Sequence, residues 1–232
     1  MQRTGGVPFF LVSCVQDLRT GPVRDDGEGA VPWNVAQSVR QRVAALPEVA
    51  QALLRTAAVL GRVVPHALLS DVVAQPAEEV LDALEAAGRA RLLVGVGDES
   101  YRFAHDLIRE VLEAELGLAR RTVLHRRVAE ALEAGEGEPP VEVLAYHYAR
   151  SKEQDKTVLY LEQAGDKAVA QQAHVTAEGY YRERVDHLDR LGRALDAAQA
   201  QEKLGAVLAT CRYGNSWRGR TWSRAMCTRP AT

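Results

Sequence analysis

From Trp33 to Leu191 apolar residues recur three and four positions apart, run after run, and glycine or proline falls between the runs. That period is one face of an α-helix, so the chain is constrained to a mainly α fold. Val35, Val39, Val43 and Leu46 predict a helix over 33–46. Pro47 suits a first helical position. Val49, Leu53, Ala57 and Leu60 then make a stripe that Gly61 closes. A short helix is expected after Pro65, with Leu68, Leu69 and Val72 inward. Another runs from Pro76 to Ala87, with Val80, Leu81 and Leu84 inward and Gly88 as its stop. Its first turn carries Glu78 and Glu79, where the helix dipole favours acids. Then the period changes. Leu92-Leu93-Val94 and Tyr101-Arg102-Phe103 read as a hairpin, with the turn over Gly95–Ser100. The second strand runs straight into His105-Asp106, which opens a helix carrying Leu107, Ile108, Val111, Leu112 and Leu116.

Beyond Leu118 the pattern stays helical. Val123, Leu124, Val128, Ala131 and Leu132 form one stripe, and Gly135–Pro140 is a loop. Helices are expected over 141–149, 158–173 and 177–191. Leu159-Tyr160-Leu161, Ala164-Gly165, Ala168, Ala173 and Tyr180-Tyr181 alternate small and bulky positions. This resembles a tetratricopeptide-type repeat, in which paired helices stack. Before Trp33, residues 9–18 read as a helix with Phe10, Leu11, Cys14 and Leu18 on its stripe. Thr20–Val31 is a Gly/Asp-rich linker. From Arg212 the composition shifts to five arginines and no acid, which predicts a disordered basic tail. The breaks divide the chain at 1–46, 47–117, 118–211 and 212–232.

Several function classes are disfavoured. A net charge of −2 gives no general attraction for nucleic acid or anionic membrane. No run of about 18 apolar residues is present to span a membrane. The start of the chain lacks the charged-then-apolar pattern of a signal peptide. Cys14, Cys211 and Cys227 are scattered, which suits a reducing cytoplasm and argues against zinc or a disulfide framework. The six histidines are dispersed, and no serine lies in a Gly-x-Ser-x-Gly elbow. No catalytic residue and no metal ligand is therefore expected.

Two motifs stand out: Gly6-Val7-Pro8-Phe9-Phe10-Leu11, and Ala104-His105-Asp106 where strand meets helix. With the elements between them, they resemble the signal-transducing STAND ATPases. That class includes LuxR-type transcription factors and cyclase- or kinase-fused bacterial regulators. The resemblance implies a lid-helix remnant over 1–46, a winged-helix domain with one β-hairpin over 47–117, and antiparallel helical repeats over 118–211. It implies that Gly6 and Pro8 open the lid helix over an adenine, and that His105 senses ADP phosphates. Asp106 would start the helix and orient His105 or a lid residue. In the class ADP clamps lid and winged helix against the nucleotide-binding core, and ATP supports assembly. Here no Gly-x-x-x-x-Gly-Lys-[Ser/Thr] loop occurs, and no apolar strand ending in Asp precedes Gly6. The expectation is a non-catalytic regulatory portion that holds no cofactor by itself, although the parent class binds ATP and ADP. Its partners would be a protein on the repeats and a nucleotide-binding core supplied elsewhere. The sequence departs from the class at Ala104, where a large apolar residue is usual, and at Val7, where Asn is common.

Two other readings stand beside it. One is a stand-alone winged-helix DNA-binding regulator with a helical oligomerisation region. The other is a repeat-type scaffold. The helix that would read DNA, Pro76–Ala87, carries Glu78, Glu79, Asp82 and Glu85 and no Lys or Arg, so phosphates repel it. A basic cluster, Arg120, Arg121, His125, Arg126 and Arg127, is expected to be a solvated helix face. Its alternative role is contact with an acidic partner or the nucleotide core.

Overall fold

The computed structural model describes residues 33–217 apart from 74, 136, 138 and 139, with side chains from Val35 to Thr210. Gly6, Pro8, the helix over 9–18, the linker and the tail beyond Trp217 lie outside the described residues. The fold is mainly helical, with one small antiparallel sheet. In order the elements are α1 (Trp33–Ala44), α2 (Glu48–Leu60), β1 (Val63–Pro65), α3 (His66–Val73), α4 (Ala77–Arg89), β2 (Leu93–Val96), β3 (Ser100–Phe103), α5 (Asp106–Ala114), α6 (Leu118–Ala134), α7 (Val141–Ala149), α8 (Gln154–Ala170), α9 (His174–Arg190) and α10 (Ala194–Trp217). Among the described residues no helix is long and apolar enough to cross a membrane. The chain divides into two compact units, α1–α6 with the sheet and α7–α10.

In the first unit α2 is the central element. Leu53, Leu54, Ala57 and Ala58 on it are buried, and so is Thr56. A helix apolar on nearly every side belongs inside a core. It packs against α3, α4, α5 and α6. Leu84, Leu92, Phe103, Ile108 and Leu112 close the core around it.

The sheet has strand order β1-β3-β2. Val64 pairs with Tyr101 on one edge of β3, and Leu93 with Phe103 on the other. The expected hairpin is present, but its strands reach further into the turn, to Val96 and from Ser100, and Gly97 takes φ +62°. Strand β1 has no counterpart in the sequence reading. Three residues ending in proline give no alternation to detect, and proline is tolerated there because β1 is an edge strand.

Helix α6 belongs to the first unit, so the contacts do not divide at the expected 117/118 border. Leu124 is buried against Val59 of α2 and Leu116. Arg121 donates to the Glu113 carbonyl at 2.7 Å and so ties α6 to the end of α5. The basic cluster is therefore not one solvated face. His125 is buried and Arg121 is partly covered, while Arg120, Arg126 and Arg127 stay exposed.

In the second unit helices begin at residues 141, 154, 174 and 194, so the pair α7–α8 takes 33 residues, close to the 34 of a tetratricopeptide repeat, and the pair α8–α9 takes 40. Two turns of the same kind reverse the chain. After α8, Ala173 N–H donates to Ala168 O with Gln172 at φ +60°. After α9, Arg193 N–H donates to Leu188 O with Gly192 at φ +69°. Small meets bulky as the sequence predicts, since Gly165 of α8 lies under the Tyr181 ring of α9. The α10 backbone continues to Trp217, past the expected border at 211.

A charged network joins α8, α9 and α10. Arg184 reaches Glu162 at 2.8 Å, Lys203 reaches both Glu162 and Asp166 at 2.8 Å, and Tyr181 Oη donates to Asp166 at 2.5 Å. Burial alone would raise the Asp166 carboxyl, but bonds from Lys203 and Tyr181 outweigh it and hold it below the usual range. A carboxyl depressed on folding stabilises the fold above its unfolded value, about pH 3.9, and that contribution is lost as pH falls through the folded value. Acid unfolding followed by circular dichroism is expected to steepen below about pH 4. The slope should flatten in Asp166→Asn, modestly because the carboxylate is half exposed.

Candidate functional site

The sequence expects Gly88 to end α4, and the structure corrects this. The helix runs on to Arg89, and Gly88 lies inside it. The stop is a paired turn in which Arg91 N–H donates to Gly88 O at 2.8 Å and Leu92 N–H to Ala87 O at 2.9 Å. Such a turn needs a left-handed residue, usually glycine, and here that residue is Arg91 at φ +54°. A non-glycine residue there costs roughly 1–2 kcal/mol. The turn is clamped from α1, where the Arg42 guanidinium donates to the Ala90 carbonyl and, at 2.9 Å, to the Arg91 carbonyl. Burial first, and then the Arg91 charge, lower the Arg42 pKa. An arginine so placed remains a cation at neutral pH.

Beside this turn lies a cleft of about 790 Å³. Arg42, Arg89 and Arg91 contribute to its lining with His105, and Leu93 and Ile108 add apolar surface. His105 occupies the cap position of α5 in extended conformation, φ −149° and ψ 140°, and its carbonyl accepts from Ile108 N–H at 3.0 Å. Its imidazole does not cap its own helix. No carboxylate is among the lining residues. Arg89 pairs with Glu85 at 3.1 Å, but both side chains are about 70% exposed, so that pair is weak and exchangeable. A cleft lined by Arg42, Arg89, Arg91 and His105 against an apolar wall suits an anion attached to a flat or apolar body.

The expected residues fare differently. His105 lines the cleft. Asp106 is not among the lining residues; its carboxylate pairs with Arg62 at 2.7 Å on the surface. Gly6 and Pro8 lie outside the described residues. The sequence reading did not assign Arg42 to any site, and it weighed Arg89 and Arg91 only against DNA binding. Nothing in the sequence marks Arg91 as the left-handed residue, since Gly88 stands three positions earlier as a decoy. In α7, His147 and Tyr148 are buried and Tyr146 is exposed. Among the described residues no group of three metal-ligating side chains gathers.

No protein-family model matches the chain, and no curated protein sequence matches it either.

Proposed function

We propose that this chain is the non-catalytic regulatory portion of a cytoplasmic STAND-type signalling or transcriptional regulator, and that the His105 cleft receives the phosphate end of a bound ADP. One observation carries the reading: His105, singled out by its motif, shares one cleft with Arg42, Arg89 and Arg91. Arginine forks match phosphate oxygens, and the cleft volume is that of small-molecule sites in general. The fold supports the same assignment. Helices α2, α3 and α4 followed by a hairpin have the order of a winged helix, with α1 standing for the lid. Helices α7–α10 would be the repeats that meet a protein partner. The nucleotide-binding core would come from elsewhere. The DNA-binding alternative suffers from α4, whose solvent face carries Glu78, Glu79, Asp82 and Glu85.

Three results are expected. The purified chain should release no phosphate from ATP, since hydrolysis needs a phosphate loop and a magnesium-holding Asp. Turnover above a mock preparation, lost on mutating this chain, would overturn the non-catalytic assignment. In low-salt calorimetry the chain should bind pyrophosphate weakly but saturably. His105→Ala should weaken it by roughly tenfold or more, because a hydrogen bond to a charged group is worth about 1.5–3 kcal/mol. Arg91→Gly should separate binding from folding. It removes a cation and so weakens pyrophosphate. It also relieves left-handed strain, so stability should hold or rise by up to about 1 kcal/mol. Pyrophosphate affinity untouched by both substitutions would sink the cleft assignment.

A further inference from the structure

A second recess in the first unit shares no lining residue with the His105 cleft. It lies where α2, α3 and α6 meet and holds about 270 Å³, room for a few side chains only. On α6, Arg120, Val123, Leu124 and Arg127 recur three and four apart, so they share one face. On α2, Val49, Ala52 and Arg55 do the same, and Val72 of α3 lies between the two. The recess is therefore apolar between guanidiniums. Leu124 and Val72 are buried, whereas Val123 keeps 40% of its surface exposed.

These guanidiniums differ from those already held in ion pairs. Arg109, Arg182, Arg184 and Arg193 each hold a carboxylate within 2.8 Å. Arg55 reaches only the Gln51 amide oxygen, at 3.5 Å. Neither Arg120 nor Arg127 has a carboxylate partner among the described residues. Unmatched cations flanking an exposed valine call for an occupant that supplies both acids and apolar anchors.

We propose that this groove docks an acidic, amphipathic segment of a partner protein. Leucine-like side chains would enter between Val123 and Val72, and Asp or Glu to either side would pair with Arg55, Arg120 and Arg127. A nucleic acid fits less well. Its backbone gains nothing from valines, and three cations neutralise few phosphates. Charge complementarity here supplies specificity and on-rate, and the apolar contact supplies the hold. The inference does not depend on nucleotide sensing.

The test uses the full chain and a fluorescein-labelled helical peptide of repeated Glu-Leu-Leu-Glu, followed by anisotropy at low salt. Saturable binding is expected, weakening as salt screens the ion pairs. The double variant Arg120→Glu, Arg127→Glu should weaken it at least tenfold, and Val123→Ser several-fold. These side chains are exposed, so circular dichroism should be unchanged. His105→Ala should have no effect on the peptide. The proposal is overturned if no saturable binding occurs, or if neither groove variant changes it. It is equally overturned if a peptide with Ser for Leu binds as well, or if duplex DNA of equal charge displaces the peptide more readily than unlabelled peptide does.

Discussion

Leu53→Ala is expected to lower the unfolding free energy by about 2–5 kcal/mol, the range for removing a buried leucine from a core that cannot fully collapse. Leu53 is wholly buried on α2, the helix against which α3, α4, α5 and α6 all pack. A cavity there loosens the supports of both recesses at once. Urea unfolding of the full chain measures it, with Leu118→Ala as the control. Leu118 is 82% exposed, so its loss should change stability by no more than about 0.5 kcal/mol. A Leu53→Ala chain as stable as that control would mean that α2 is not the centre of the first unit.

Gly165→Val is expected to destabilise the second unit by about 1–3 kcal/mol, through crowding rather than loss. A Cβ at residue 165 would stand 2.6 Å from Tyr181 Cε1 and 2.9 Å from Cζ. The ring cannot move aside freely, because its hydroxyl is held by Asp166 at 2.5 Å and Lys203 lies over its face at 5.9 Å. Backbone conformation is not the reason for glycine here, since Gly165 is inside α8. The explanation makes a second demand. In a Tyr181→Ala background the space is open, so Gly165→Val should cost markedly less than in the parent chain. A double-mutant cycle by denaturation reads this coupling directly. Independent, additive effects would place the clash elsewhere.

Sequence reached the helices because period is a repeated signal, and α2 and α4, of 13 residues each, carry more than three turns of it. It reached Gly165 and Tyr181 for the same reason, small against bulky one helix apart. It did not reach β1, which is too short to alternate. It misplaced the end of α4, because the left-handed position is filled by Arg91 and a glycine stands inside the helix at residue 88. That error hid most of the candidate site. His105 was legible from its motif, whereas Arg42 joins it only through a fold that brings α1 against the end of α4. The arginines of α6 were legible as charge, but not as two sets. Only packing decides that Arg121 is bound to the Glu113 carbonyl while Arg120 and Arg127 line the recess between α2, α3 and α6.

The most direct test of the nucleotide-sensor reading is a pyrophosphate titration of the isotopically labelled full chain, following the ring signals of all six histidines by NMR at low salt. A saturable shift of the His105 resonances is expected, with the side-chain signals of Arg42, Arg89 and Arg91 moving at the same concentrations. Buried His125 and His147 should stay still. Arg89→Ala should move the pyrophosphate midpoint to higher concentration. Saturable binding that leaves His105 unshifted, or shifts spread evenly over all six histidines, would contradict the account.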